Sequence, residues 1–99
     1  MIWIVNMYEI NYGKKFKTSY KKLLKSGKFN SEEFEKIISV LEKGLELPDK
    51  YHDHSLKGNL QFKRECHISG NLLLVYEIYI DYKVILLSDI GTHSQLFGS

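Results

Sequence analysis

Residues 60–90 read LQFKRECHISGNLLLVYEIYIDYKVILLSDI, and here the apolar spacing changes from a helical period to a period of two. Leu60, Phe62, Cys66 and Ile68 fall on one side of a strand, and Gln61, Lys63, Glu65 and His67 on the other. Arg64 interrupts the apolar side, which predicts a face that is wet at one end. Ser69-Gly70-Asn71 supplies turn chemistry, so the next run pairs back on the first. LLLVYEIYI (72–80) is almost continuously apolar, the mark of a central strand or one covered on both faces. A turn near Asp81 leads into VILLSDI (84–90), a third strand.

Upstream the pattern differs. Residues 2–10 are rich in Ile, Val, Trp and Tyr and read as a mostly buried strand. A helical pattern opens at Gly13: Tyr12, Phe16, Tyr20, Leu23 and Leu24 fall on one stripe with lysines covering the rest. SGK at 26–28 interrupts this helix. Asn30 is placed to cap a second one, with Glu33 at capping-box spacing and Phe34, Ile37, Ile38, Leu41 and Leu45 as its apolar stripe. Gly44 and Pro48 end it. The expected order is β-α-α-β-β-β, an α+β domain with a helical hairpin packed on a small, largely antiparallel sheet.

At 99 residues the chain is expected to form one domain, 1–99, around a single core. A hydrophobic content of 43% argues against a disordered chain. The lone cysteine, Cys66, excludes an internal disulfide and fits a reducing compartment. The apolar N-terminus lacks a basic n-region and a cleavage site, and no stretch has the length of a membrane span. A cytoplasmic location without membrane attachment is the expectation.

The net charge of +2 conceals a polarised chain. Between Tyr12 and Asn30 there are seven lysines and no acid, whereas residues 31–50 hold six acids against three lysines. A one-sided run of this kind is either a solvated helix face or a match for a polyanion, where each neutralised phosphate releases counterions. Charge alone does not separate RNA, DNA and an acidic protein.

All four histidines (His52, His54, His67 and His93) lie in the second half of the chain. If the three strands are neighbours, His54, His67 and His93 can converge at one edge of the sheet. Zinc binding by His52, His54 or Cys66 is disfavoured because Cys66 is on the apolar side and no CxxC or HExxH spacing is present. The same burial disfavours a cysteine nucleophile. Cleavage of RNA by its own 2′-hydroxyl suits the residues better. It needs a base, an acid for the departing 5′-oxygen and cations at the phosphate. Histidine serves as either acid or base near neutral pH, and Lys63 and Arg64 can supply charge. Neither metal nor cofactor is required.

LPDKYHDHSLKG, FKRECHISGNLLLVYEI and IGTHSQLFG, in that order behind a lysine-rich hairpin, resemble the YafQ branch of the RelE/ParE toxin superfamily. The resemblance implies a RelE-like fold and a type II toxin that cuts messenger RNA in the ribosomal A site. It also implies a DinJ/RelB-type antitoxin as partner. It assigns a site to His54, His67 and His93, with His93 as general acid and Phe97 packing against a base or its neighbour. Lys14, Lys15, Lys17, Lys21, Lys22 and Lys25 would then contact ribosomal RNA. Two positions depart from the family pattern. Gly70-Asn71-Leu72 stands where PDW is usual, so the amide of Asn71 replaces a catalytic carboxylate, and Asp89 replaces a basic residue. Asn71 cannot accept a proton at neutral pH. The competing expectation is a non-catalytic member of the same fold, a ParE-like gyrase inhibitor or an inactive antitoxin-binding protein. A stand-alone RNA-binding module would instead call for stacking aromatics on an exposed sheet, whereas the aromatics here mostly follow core periodicity.

Overall fold

The computed structural model describes residues 7–27, 29–56 and 63–98. Strand β1 (Glu9–Tyr12) leads into helices α1 (Lys14–Lys25) and α2 (Ser31–Glu42), then strand β2 (His54–Ser55). Strands β3 (Lys63–Ser69), β4 (Leu72–Tyr79) and β5 (Val84–Thr92) follow, and helix α3 (His93–Phe97) comes last. The sheet order is β1-β5-β4-β3-β2. Among the described strands, only the β1–β5 pair is parallel. This is the expected α+β architecture with two additions, the two-residue β2 and the short α3.

Strand β4 is central, with Leu72 through Glu77 all buried, as its unbroken apolar run requires. Its alternate residues Leu72, Leu74 and Tyr76 join Cys66 and Ile68 of β3 and Ile85 and Leu87 of β5 in the core. Phe16 of α1 and Phe34, Ile37 and Leu41 of α2 close over them. The helices meet through aromatic rings. Phe34 lies 6.0 Å from Phe16 and 5.5 Å from Tyr20, and Phe29 meets Tyr20 edge-on at 5.5 Å. Fully burying side chains such as Ile37 and Leu74 contributes about 1.5–3 kcal/mol each. Gly13 lets α1 leave β1 without a gap: its N–H donates to the Leu87 carbonyl at 2.9 Å, and a Cβ there would sit 2.8 Å from that oxygen.

Several expectations change in detail. Of the strand read over 2–10, only Glu9 and Ile10 of the described residues are in β1, which runs on to Tyr12 because Glu9–Tyr12 pair with Val84–Leu87. It is mostly exposed rather than buried, since it lies at the edge of the sheet, and residues 2–6 lie outside the described residues. Tyr12 therefore belongs to β1 and not to the stripe of α1. The apolar stripes are also narrower than the sequence suggests, since Leu24 and Leu45 are exposed. Asn30 caps α2 by accepting from the Glu32 N–H at 2.9 Å. Glu33 does not complete a capping box; its carboxylate accepts from the Tyr51 hydroxyl at 2.6 Å and pairs with Lys50 at 3.5 Å. Leu60, Gln61, Phe62 and Lys28 are outside the described residues.

Candidate active site

Side chains alternate across a strand, so the face opposite α1 and α2 carries Lys63, Glu65 and His67 of β3 and Glu77 and Tyr79 of β4. His54 pairs with Glu65 in register and lies on the same face. His54 is in the edge strand β2, where its ring is held at both nitrogens. Nδ1 is 2.8 Å from the His52 carbonyl oxygen, and Nε2 is 3.3 Å from Glu65 Oε1. Carbonyl and carboxylate oxygens only accept, so Nδ1 donates to the His52 carbonyl and Nε2 is the nitrogen turned to the Glu65 carboxylate.

The end of the chain reaches the same place through a short helix whose sequence explains its geometry. Thr92 is the N-cap of α3: its hydroxyl accepts from the Gln95 N–H, and Gln95 Oε1 accepts from the Thr92 N–H at 2.8 Å. This is a capping box, T-x-x-Q, which satisfies two backbone donors at the helix start. Gly91 lets Gln95 fold back, since a Cβ at 91 would sit 2.8 Å from Gln95 Oε1 and 3.3 Å from its Cβ. His93 and Phe97, four residues apart on one helix, then share a face. Their ring centroids are 5.0 Å apart. His54, Ser55, Leu56, Glu65, His93 and Phe97 line a shallow open cleft of about 320 Å³.

The remaining candidates are placed around this cleft or away from it. His67 packs its ring edge-on against His52 at 5.4 Å and does not line the cleft. Asn71 is exposed in the β3–β4 turn and also stays outside it. Lys63 is on the cleft's face, 3.7 Å from Glu77. Arg64 is on the opposite face, where Nε and Nη2 donate to Asp53 Oδ2 at 3.0 and 2.7 Å, and Tyr76 donates to the same carboxylate. Lys14, Lys15, Lys17, Lys21, Lys22 and Lys25 are all exposed along α1. Asp89 faces α1, accepting from Ser19 Oγ at 2.7 Å and lying 3.4 Å from Lys15 Nζ. Cys66 is fully buried, which pushes its thiol up, so no thiolate is available.

Glu65 is the residue that sequence reasoning passed over. A period-two reading sends it to solvent, yet it is 7% exposed and brings a carboxylate to Nε2 of His54. Glu77, similarly buried, is held by three neighbours. Burial pushes its carboxyl up, but the Tyr79 and Ser88 hydroxyls and the Lys63 ammonium outweigh this and hold it below the usual carboxylate range. Among the described residues, no group of three or more His, Cys, Asp or Glu side chains is placed to hold a metal ion. No helix among them is long and apolar enough to cross a membrane.

A mostly antiparallel sheet under a lysine-rich α1 and a more acidic α2, with histidines and an aromatic gathered on its open face, makes a small α+β domain with a polar surface cleft. The family profile described as "Bacterial toxin of type II toxin-antitoxin system, YafQ" matches residues 8–98, and the chain belongs to that family. A Haemophilus influenzae protein carrying the YafQ name is 38% identical over 60 residues, and the match spans 59% of each chain. A metal-bound toxin from Helicobacter pylori is 41% identical, with a TM-score of 0.84 over 92% of this chain and all of that one. The E. coli DinJ–YafQ toxin–antitoxin complex matches at 27% identity and a TM-score of 0.82, covering 93% of this chain and 99% of that one.

Proposed function

We propose that this toxin is a ribosome-dependent messenger-RNA endoribonuclease, acting by attack of the substrate 2′-hydroxyl on the adjacent phosphorus. The observation that carries the reading is the cleft itself. Three separate segments of chain bring His54, Glu65, His93 and Phe97 to one open surface. The His54–Glu65 pair, with Nε2 and Oε1 3.3 Å apart, is the base: it takes the 2′-hydroxyl proton and the two groups share the charge that results. As O2′ bonds to phosphorus, the P–O5′ bond breaks and His93 delivers a proton to O5′. The products are a 2′,3′-cyclic phosphate and a free 5′-hydroxyl. Phe97, half exposed beside His93, offers a ring against which a base at the scissile position packs.

Lys63, on the same face and in the same strand as Glu65, is the cation assigned to the phosphate; Arg64, tied to Asp53, is assigned to structure instead. His67 holds His52, whose carbonyl orients His54, so its part in the site is indirect. The exposed lysines of α1 suit ribosomal RNA. The E. coli relative is found with the antitoxin DinJ, and a DinJ/RelB-type antitoxin is the partner proposed here. The cytoplasm, where ribosomes and messenger RNA are found, is the proposed location.

The non-catalytic reading has one observation in its favour: at Asp89, where the resemblance puts a basic residue, the side chain turns to α1 and gives the cleft no cation. Mapping messenger-RNA ends after expression in a bacterium, with and without antitoxin, separates the two readings. New 5′-hydroxyl ends within coding regions are expected from the enzyme, and growth inhibition without them would favour the inhibitor. Because a Helicobacter relative is metal-bound, the same cleavage is to be run on purified ribosomes with a chelator. Cleavage is expected to persist, and its loss with recovery on adding back a divalent ion would overturn the metal-free chemistry.

A further inference from the structure

The exposed large apolar side chains include three from a single turn. Tyr79, Ile80 and Tyr82 are 37%, 65% and 80% exposed at the tip between β4 and β5. Tyr79 lies two residues beyond Glu77 on one strand and so shares the face that carries the cleft. Its hydroxyl donates to Glu77, whose other oxygen accepts from Ser88 Oγ at 2.7 Å and lies 3.7 Å from Lys63 Nζ. The ring is thereby fixed in orientation while remaining open to solvent. From the Glu65 row of the cleft to Tyr79 is four residues of strand, ~13 Å, with Lys63 and its charge midway.

We infer that this tip is a base-stacking subsite for single-stranded RNA whose cleaved phosphate occupies the histidine cleft. The inference rests on the endoribonuclease reading and extends it to nucleotides flanking the cut. A strand leaving the cleft along this face passes its backbone over Lys63 and arrives at the rings of Tyr79 and Tyr82. Aromatic rings bind bases of any identity, because every base has a π-face. Asp81 and Lys83, both exposed at this turn, have opposite charges, so the tip offers no net attraction to a phosphate or to an acidic protein segment and takes base faces instead.

The test is binding of a short oligoribonucleotide, made uncleavable by 2′-O-methyl sugars at every position and carrying 2-aminopurine at successive positions. It uses the whole 99-residue chain. Tyr79→Ala and Tyr82→Ala are each expected to lower affinity by about fivefold or more and to relieve quenching of 2-aminopurine at the position that stacks on the tip. Tyr79→Phe keeps the ring and is expected to retain both affinity and quenching. Tyr82 makes no contact in the core, so Tyr82→Ala tests the tip without risk to folding. Parent-like affinity and quenching in the Tyr79→Ala/Tyr82→Ala protein would overturn the inference. Antitoxin binding lost in that protein while RNA binding stays intact would also overturn it and would assign the tip to the antitoxin. Cleavage by the parent is scored separately, so a toxin that binds but does not cut rejects the enzymatic reading, and one that cuts without needing the rings rejects only the subsite.

Discussion

Replacing Gly91 by alanine should damage cleavage out of proportion to its effect on the fold. A Cβ at 91 would lie 2.8 Å from Gln95 Oε1 and 3.3 Å from Gln95 Cβ. The amide end of Gln95 can swing away, but that oxygen is the acceptor for the Thr92 N–H at 2.8 Å, so moving it breaks half of the capping box. The lost bond costs about 0.5–1.5 kcal/mol. Helix α3 has five residues and buries none of them, so a loss of this size is enough to unpin it. His93 opens that helix, and a displacement of about 1 Å at a catalytic group can cost ~100-fold in rate. Cleavage by Gly91→Ala on purified ribosomes is therefore expected to fall by tenfold or more. Amide exchange is expected to accelerate in residues 93–97 only, with the core strands unchanged, because local opening need not involve the whole domain. Parent-like cleavage with unchanged protection of α3 would refute the claim that the capping box holds the acid in place.

Three more outcomes follow. Reversing Lys17 and Lys21 to glutamate should weaken ribosome association and lower the slope of log affinity against log salt by about one per lysine lost, measured over a salt series. Asn71→Asp is expected to change cleavage only a few-fold, because Asn71 is outside the cleft; a large gain would show that its carboxylate reaches the site. Glu77 is held below its ordinary value in the folded protein, so its contribution to stability is complete above the unfolded value near 4.5 and is lost as pH falls below it. Glu77→Gln should therefore flatten the acid side of a Tm-against-pH curve, and an unchanged acid slope would reject the assignment.

The parts of the fold that could be read in advance are those where one-dimensional pattern and three-dimensional environment coincide. The apolar run of β4 is continuous because the strand is central, and Asn30 announces α2 because its side chain caps the helix. Strand β2 has two residues, too few for any periodicity, and is defined only by pairing with Glu65 and Arg64. Glu65 could not be placed because alternation says which face a residue takes and not what lies over that face. Arg64, read as a candidate for charge at the phosphate, is claimed by Asp53, a partner 11 residues away that no local pattern announces. In the C-terminal motif the signal was present in plain form. Thr92 and Gln95 have capping-box spacing, and the histidine and aromatic that follow are four apart, as one face of a helix demands.

The central claim is that His93 delivers the proton to the leaving 5′-oxygen, and its most direct test is single-turnover cleavage of ribosome-bound messenger RNA by His93→Gln. Glutamine preserves much of the size and hydrogen bonding of the imidazole and sits at an exposed helix start, so folding, antitoxin binding and ribosome binding should be retained. A positioned general acid is worth ~10²–10⁴-fold, so the variant should cut at least about a hundredfold more slowly. Near-parent cleavage by folded, ribosome-bound His93→Gln would contradict the account and move the non-catalytic reading to first place.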